Sequence, residues 1–406
     1  MSIFFGEIRM LLFSMILVLH FSTYVPNNVQ FYGFISLLLY FSYDIIKKSN
    51  NGSTLLKKNI AAYTYPYFFA VLYTFFLIIV NQSEPTYLMR GLSVTVKISS
   101  LALASYALLI KYKERTVDFL FLSFSIAYFT LTMEGVVHYG PEYIIRTALD
   151  ISESRFESSV EGGEFDKMFE FHDFGLTMPL IALYYLVSNI KWYKKLLFLS
   201  ISILVALICA KRIAIAALAC CFVTYLICSI PQVRSIISKV GGFIIIMMAL
   251  LFLSFIYSNQ YVYYAMHYNI DMKGRDFFYQ YFIRMSDFSF DYIGRGFDFV
   301  SRYIQEVNPF GGIMGVHNDI LRLYIDLGFV GLLIFLFLMF EYNRSIHKKI
   351  SNRAGFYFIL CSLYCFITYF SDNTVSYGLL QMSNVVIPIV LSYEDLNKKS
   401  KKFVLI

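Results

Sequence analysis

Charge is what this sequence has least of. Only 15% of its 406 residues are Asp, Glu, Lys or Arg, against about 25% in ordinary soluble chains. So few ionised groups cannot clothe the two or three soluble domains that this length would otherwise build. Intrinsic disorder and long coiled coils are excluded for the same reason. Cysteine is sparse as well: six residues, at 209, 220, 221, 228, 361 and 365, all within or at the ends of apolar stretches. A disulfide scaffold and a Cys-based metal site are therefore excluded, and buried packing thiols are expected. Tryptophan occurs once, as Trp192. The sequence has no G-x-x-x-x-G-K-[ST], no H-E-x-x-H and no D-x-D, and its histidines lack metal-ligand spacing, so neither a P-loop ATPase nor a metal or other cofactor is expected. No repeat of the first half in the second is apparent, which counts against common transporter architectures.

What is abundant is apolar. Hydrophobic residues make up 58%, with 42 Phe and 34 Tyr and a mean hydropathy of +0.62. The bilayer is the solvent that such a chain needs. A spanning helix takes about 20 mostly apolar residues, and twelve stretches qualify: roughly 6–22, 29–46, 60–80, 91–110, 119–139, 173–190, 196–210, 213–230, 241–257, 318–340, 354–370 and 377–393. The expected fold is all-α, a single polytopic membrane domain over 1–406 with about 12 transmembrane helices. Between the seventh and eighth stretches only Lys211-Arg212 intervenes, which reads as a tight turn at the membrane surface.

The orientation follows from Lys and Arg in short loops. With both termini inside, the inner segments hold 20 basic residues in 62 positions, and the outer ones 11 in 117. Most of the net charge of +7 is thus a topology signal, and nucleic acid is not an expected partner. The implied orientation puts both termini on the inner side and both long loops outside. Glu7 and Arg9 interrupt the first apolar run, so no cleaved leader is expected.

Two outer loops are long, 140–172 and 258–317, and long loops usually carry function. The first is acidic. Between Gly274 and Phe310 the second holds twelve aromatics, too many for a solvated tail, so short amphipathic helices on the membrane surface are expected. It also holds Arg275, Arg284, Arg295 and Arg302. Guanidinium forks suit phosphate oxygens and aromatic faces suit sugar rings. Interfacial anchoring by Tyr and Arg is the plainer alternative.

Further polar groups stand at span ends. Arg322 lies three residues after Asp319 and four before Asp326, a spacing that allows a local ion-pair ladder. His317 and Asn318 stand at the boundary where a helix N-terminus favours anions; a lone interfacial His can equally serve as a hydrogen-bonding group. Lys211-Arg212 puts two cations at an outer end, against the positive-inside trend. They form either a hydrophilic turn or a clamp for a diphosphate.

At these residues the sequence resembles the O-antigen polymerase (Wzy-type) and O-antigen ligase superfamily of bacterial surface glycan assembly. Lys211-Arg212-Ile213-Ala214 is similar to the family's Ser-Arg-x-Ala element, with Lys in place of Ser. Gly274-Arg275-Asp276-Phe277-Phe278-Tyr279 and Tyr292-Ile293-Gly294-Arg295-Gly296-Phe297 are similar to its Gly-Arg and Gly-x-Gly segments. His317-Asn318 through Asp326-Leu327-Gly328-Phe329-Val330-Gly331 resembles its His-Asn … acidic-x-Gly-x-x-Gly. None of the loop arginines has Gly eleven positions on, unlike the Arg-x10-Gly pattern of some polymerases.

The resemblance implies a membrane-embedded, GT-C-like glycosyltransferase that works without metal or nucleotide sugar. It would join undecaprenyl-diphosphate-linked oligosaccharides, serving as donor and acceptor, among membrane lipids and alongside a chain-length regulator protein. Arg212 and Arg275 would hold the donor diphosphate and His317 would stand at the reacting centre. Lys211, Arg284, Arg295, Arg302, Asn318 and Arg322 would bind substrate. The expected activity is repeat-unit polymerisation of O-antigen or capsule; the alternatives are transfer of the finished glycan to lipid A-core by a ligase, and a secondary transporter or flippase.

Overall fold

The structure, a computed structural model, describes residues 8–22, 25–49, 52–80, 82–142, 171–269, 275–307, 317–370 and 372–399. Most of the acidic outer loop, 143–170, lies outside the described residues. All described regular elements are helical. Helices cover each of the twelve apolar stretches: α1 (Ile8–Phe21), α2 (Asn27–Lys47), α3 (Thr54–Ala62) with α4 (Tyr65–Ile79), α5 (Pro85–Tyr112), α6 (Thr116–Tyr139), α7 (His172–Val187), α8 (Trp192–Ile208), α9 (Arg212–Ile227) and α10 (Pro231–Tyr257). Three short helices follow in the second loop, α11 (Gln260–His267), α12 (Arg275–Ile283) and α13 (Phe299–Val307). The chain ends with α14 (Asp319–Leu336), a π-helical turn Phe337–Tyr342, α15 (Asn343–Lys348), α16 (Asn352–Tyr369) and α17 (Gly378–Lys399).

Among the described residues, four helices are long and apolar enough to cross a membrane: Asn27–Lys47, Pro85–Val137, Pro231–Tyr257 and Asp319–Lys348. A fifth arises if α3 and α4, bent by 46°, form one span. Pro66 explains the bend, since its ring admits only the first turn of a helix and leaves the preceding residues out of it. Three shorter helices are apolar too: Ile8–Phe21, Arg212–Ile227 and Arg353–Tyr369. Large apolar side chains such as Met15, Leu72, Phe75, Val137 and Leu251 are exposed, the outward face that a lipid solvent requires. Of the cysteines, five are buried as expected, while Cys220 is exposed.

α7 is the centre of the bundle, with every residue from Asp173 to Tyr185 buried. It packs on α8, α9 and α17, and α17 packs in turn on α16 and α5. α14 packs against α4, α10 and α13. Arg322, expected to pair with both neighbouring acids, pairs with Asp319 at 2.6 Å and approaches Asp298 at 3.7 Å. Asp326 serves elsewhere: its carboxylate accepts the backbone N–H groups of Asp298 (2.9 Å) and Val300 (3.0 Å) at the start of α13.

The second loop is fastened to α14 where that helix breaks. Gly328 adopts φ 68° and ψ −174° inside α14, which frees the carbonyls before it. Arg295 and Gly296 donate their N–H groups to Asp326 O at 3.1 and 2.8 Å, and Phe329 N–H reaches Tyr292 O at 2.9 Å. The approach is so close that a Cβ on Gly328 would lie 2.3 Å from Tyr292 O, and one on Gly294 would lie 2.5 Å from Gly328 N. Both glycines have positive φ, the conformation that a side chain penalises.

Candidate functional site

The turn between α8 and α9 sets the first functional side chain. Ala210 takes a left-handed φ of 53°. Lys211 N–H then bonds Ala206 O at 2.8 Å, closing the end of α8 in a six-residue ring that glycine usually makes. The chain reverses at once, and α9 begins at Arg212. Lys211 points inward and forms an ion pair with Asp372. Arg212 is exposed.

Asp372 lies between α16 and α17 and is buried to 2% exposure. Beside Lys211, its carboxylate accepts the N–H of Asn373 (2.8 Å) and the hydroxyl of Tyr377 (3.2 Å). The same Oδ1 lies 3.5 Å from His317 Nδ1. Burial alone would push this carboxyl up. The charge of Lys211 and the hydrogen bond and charge of His317 prevail and hold it well below the ordinary carboxylate value. His172, the first residue of α7 and just before the sixth expected span, stands in the same field. Its imidazole is lowered to about 4, by burial first and then by the charge of Lys211.

His317 has φ 48°, a left-handed conformation in which a non-glycine residue needs local support. Asn318 supplies it from the next position. Its side-chain oxygen caps α14 by accepting Leu321 N–H at 3.0 Å, and its Nδ2 donates to Tyr279 OH at 2.9 Å. The His317 side chain is 41% exposed over the buried Asp372. One edge of the ring thus faces a fixed carboxylate while the rest is open.

Tyr279 connects this point to the second loop. Arg275 opens α12 one turn earlier, so backbone geometry puts Arg275 and Tyr279 on one helical face; its side chain lies outside what is described. Arg284 and Arg295 are exposed. Arg302 pairs with Glu306 at 2.5 Å, and its guanidinium stands 5.4 Å over the Tyr87 ring. Arg322 is buried between Asp319 and Asp298. Lys211, His317 and Asn318 therefore meet in one place, with Arg212 adjacent in the chain. Arg284 and Arg295 remain open cations near the same loop, and Arg302 and Arg322 are engaged by carboxylates of the protein.

Asp372 and Asp173, both missed in the sequence, are central here. Asp372 stood in a short outer segment with no motif around it, and only its position as a lone carboxylate between two apolar stretches marked it. Asp319 appeared as a partner for Arg322, but it also accepts Val375 N–H at 2.6 Å, which ties the start of α14 to the segment carrying Asp372. Asp173 does the same for α17, accepting the N–H groups of Leu379 and Leu380 at 3.1 Å each. Three buried acids thus hold backbone in place, so the loops around His317 are set by charge-assisted bonds.

Residues 196–336 match the family model described as O-antigen ligase, so the likeness to the O-antigen ligase and polymerase superfamily holds over that segment. The match takes in Lys211, Arg212, Arg275 and His317, while Asp372 lies beyond it. Provisionally named polysaccharide ligases are similar over a shorter stretch. One from Rickettsia conorii is 38% identical over 66 residues, covering 16% of this chain and 15% of the relative. One from Rickettsia typhi is 39% identical over 66 residues, with the same coverage. The aligned stretch thus spans 15% of the length of these relatives. No solved structure matches the chain.

Proposed function

Starting from the O-antigen ligase match over residues 196–336, we propose that this chain is a membrane glycosyltransferase that takes its glycan from a lipid-diphosphate donor, undecaprenyl diphosphate in a bacterial inner membrane. The reading keeps about twelve spans, with His317 and the second long loop on the periplasmic side. The observation that carries it is the convergence of Lys211 and His317 on buried Asp372. An acceptor hydroxyl needs a base, and a histidine whose Nδ1 faces a carboxylate keeps Nε2 for that proton.

In this reading the acceptor oxygen attacks the anomeric carbon of the donor sugar and passes its proton to His317 Nε2. The bond from that carbon to the diphosphate oxygen breaks, and the lipid diphosphate leaves with the electron pair. Its charge grows as the bond lengthens. Cations supplied by Arg212 and Arg275 stabilise that state more than the intact donor, which is what raises the rate. Lys211 is assigned to holding Asp372, which positions His317. Arg284 and Arg295 are open to polar groups of the glycan; no metal takes part in any step.

The acceptor decides the product. A second lipid-linked repeat unit makes the enzyme a repeat-unit polymerase, served by a chain-length regulator; this remains the first reading. The second reading is the ligase, with lipid A-core as acceptor, and the description of the matching family favours it. Deleting the gene and viewing the surface glycan on a silver-stained gel separates them. Core capped by one repeat unit identifies the polymerase, and bare core identifies the ligase. An unchanged ladder would overturn both.

A further inference from the structure

A second polar site lies at the other end of the bundle. α16 has 18 residues, which at 1.5 Å per residue separates its ends by about 27 Å. Asp372 follows one end and Arg353 stands at the other. There, Arg234 and Lys239 of α10, Lys348 of α15 and Arg353 of α16 line a cavity of about 320 Å³ together with Ser235 and Ser238. That volume is at the lower end of the range of small-molecule sites.

The composition of the cavity differs from a solvated basic face. Among the described residues that line it, three helices contribute four cations and no carboxylate. Like charges brought together repel, and an anion among them removes that cost. Glu341, one turn into the bundle, is already taken by Arg344. Arg344 also donates to Ser238 O at 2.5 Å, which fixes the cavity floor. α10 comes this close because of its glycines: a Cβ on Gly242 would lie 2.8 Å from the Glu341 backbone. From the cavity mouth, α10 continues with exposed Ile236, Val240, Phe243, Ile244 and Met247. Cations at a helix end with an apolar track beside them match the shape of a phospholipid, with its phosphate in the cavity and its chains along the helix. A soluble anion would use the cations and leave the track empty.

We propose that this cavity binds the phosphate headgroup of an anionic phospholipid. It shares no residue with the cluster around Asp372, and the proposal does not depend on the glycan-transfer reading. The test uses the full chain purified in a neutral detergent, probed with phosphatidylglycerol, phosphatidylcholine and inorganic phosphate by native mass spectrometry and thermal unfolding. Phosphatidylglycerol is expected to form a retained one-to-one adduct and to raise the melting midpoint, while phosphatidylcholine does neither. The variant Arg234→Gln/Lys239→Gln/Lys348→Gln is expected to bind phosphatidylglycerol at least tenfold more weakly. Lys239→Gln alone, at an exposed position that folding does not need, should lose about threefold. Lys57→Gln/Lys58→Gln, on exposed positions of α3, should bind as the wild type does. Equal stabilisation by inorganic phosphate would identify a soluble-anion site and overturn the proposal. So would an equal loss in the α3 variant, which would mean general surface attraction, or the absence of a phosphatidylglycerol effect.

Discussion

His317 and Asp372 are 55 positions apart in the chain and 3.5 Å apart in space. If His317 takes the acceptor proton, His317→Ala should lower glycan transfer about 10²- to 10⁴-fold, the usual value of a positioned base. Expression of that variant in the deletion strain, read as ladder intensity on a gel, checks this; a wild-type ladder would remove His317 from the chemistry. Asp372 acts one step behind. Its folded-state carboxyl lies well below the ordinary value near 3.9, so its contribution to stability is present above that ordinary value and is lost as pH falls through the lower folded one. The melting difference between wild type and Asp372→Asn should therefore still be present at pH 5 and disappear only below about pH 4. A difference that vanished already near pH 6 would mean that the Asp372 carboxyl is not held below its ordinary value.

At the scale of elements, two turns carry backbone strain that substitutions can read. Ala210 holds a left-handed φ of 53° at the end of α8, where glycine is the usual residue. Ala210→Gly should raise stability by about 1 kcal/mol in thermal unfolding and leave the Lys211–Asp372 pair in place. Gly328 is the opposite case. Gly328→Ala puts a methyl 2.3 Å from Tyr292 O, against backbone that cannot yield. A loss of at least ~2 kcal/mol is expected. The second loop should come away from α14 with it, seen as faster proteolysis between α12 and α13. If the variant melted like the wild type, the docking of Tyr292–Phe297 on α14 would be wrong.

For the whole molecule, the proposed orientation puts Arg295 and Ser235 on opposite sides of the membrane. In a chain freed of its six cysteines, Arg295→Cys should react with a membrane-impermeant maleimide in spheroplasts. Ser235→Cys should react only after lysis. The reverse pattern would separate the second loop from a periplasmic donor and overturn the proposed direction of transfer. Both positions are fully outside the helical interior or at its edge, so labelling measures sidedness more than burial.

Composition by itself determined the membrane class, and apolar runs of about 20 residues determined helices over a closed barrel. The length of each apolar run located its helix, because hydropathy is a local property that survives without tertiary contacts. Lys211, His317 and Asn318 were also legible, since cations and a histidine at span ends are costly enough to stand out. Asp372 was not, because one carboxylate in a six-residue segment carries no motif and no local sign of its partners. Its meaning comes from α9, α14 and α16 meeting there. The partners of Arg322 and Asp326 were legible only in part. Helical spacing offered Arg322 two acids on its own helix, and packing chose Asp319 and, from the docked loop, Asp298. The break at Gly328 released the carbonyls that this docking needed. Which buried acid pairs with a cation and which holds a backbone turn is settled only when separate segments compete for the same oxygens, and that competition exists only in the folded chain.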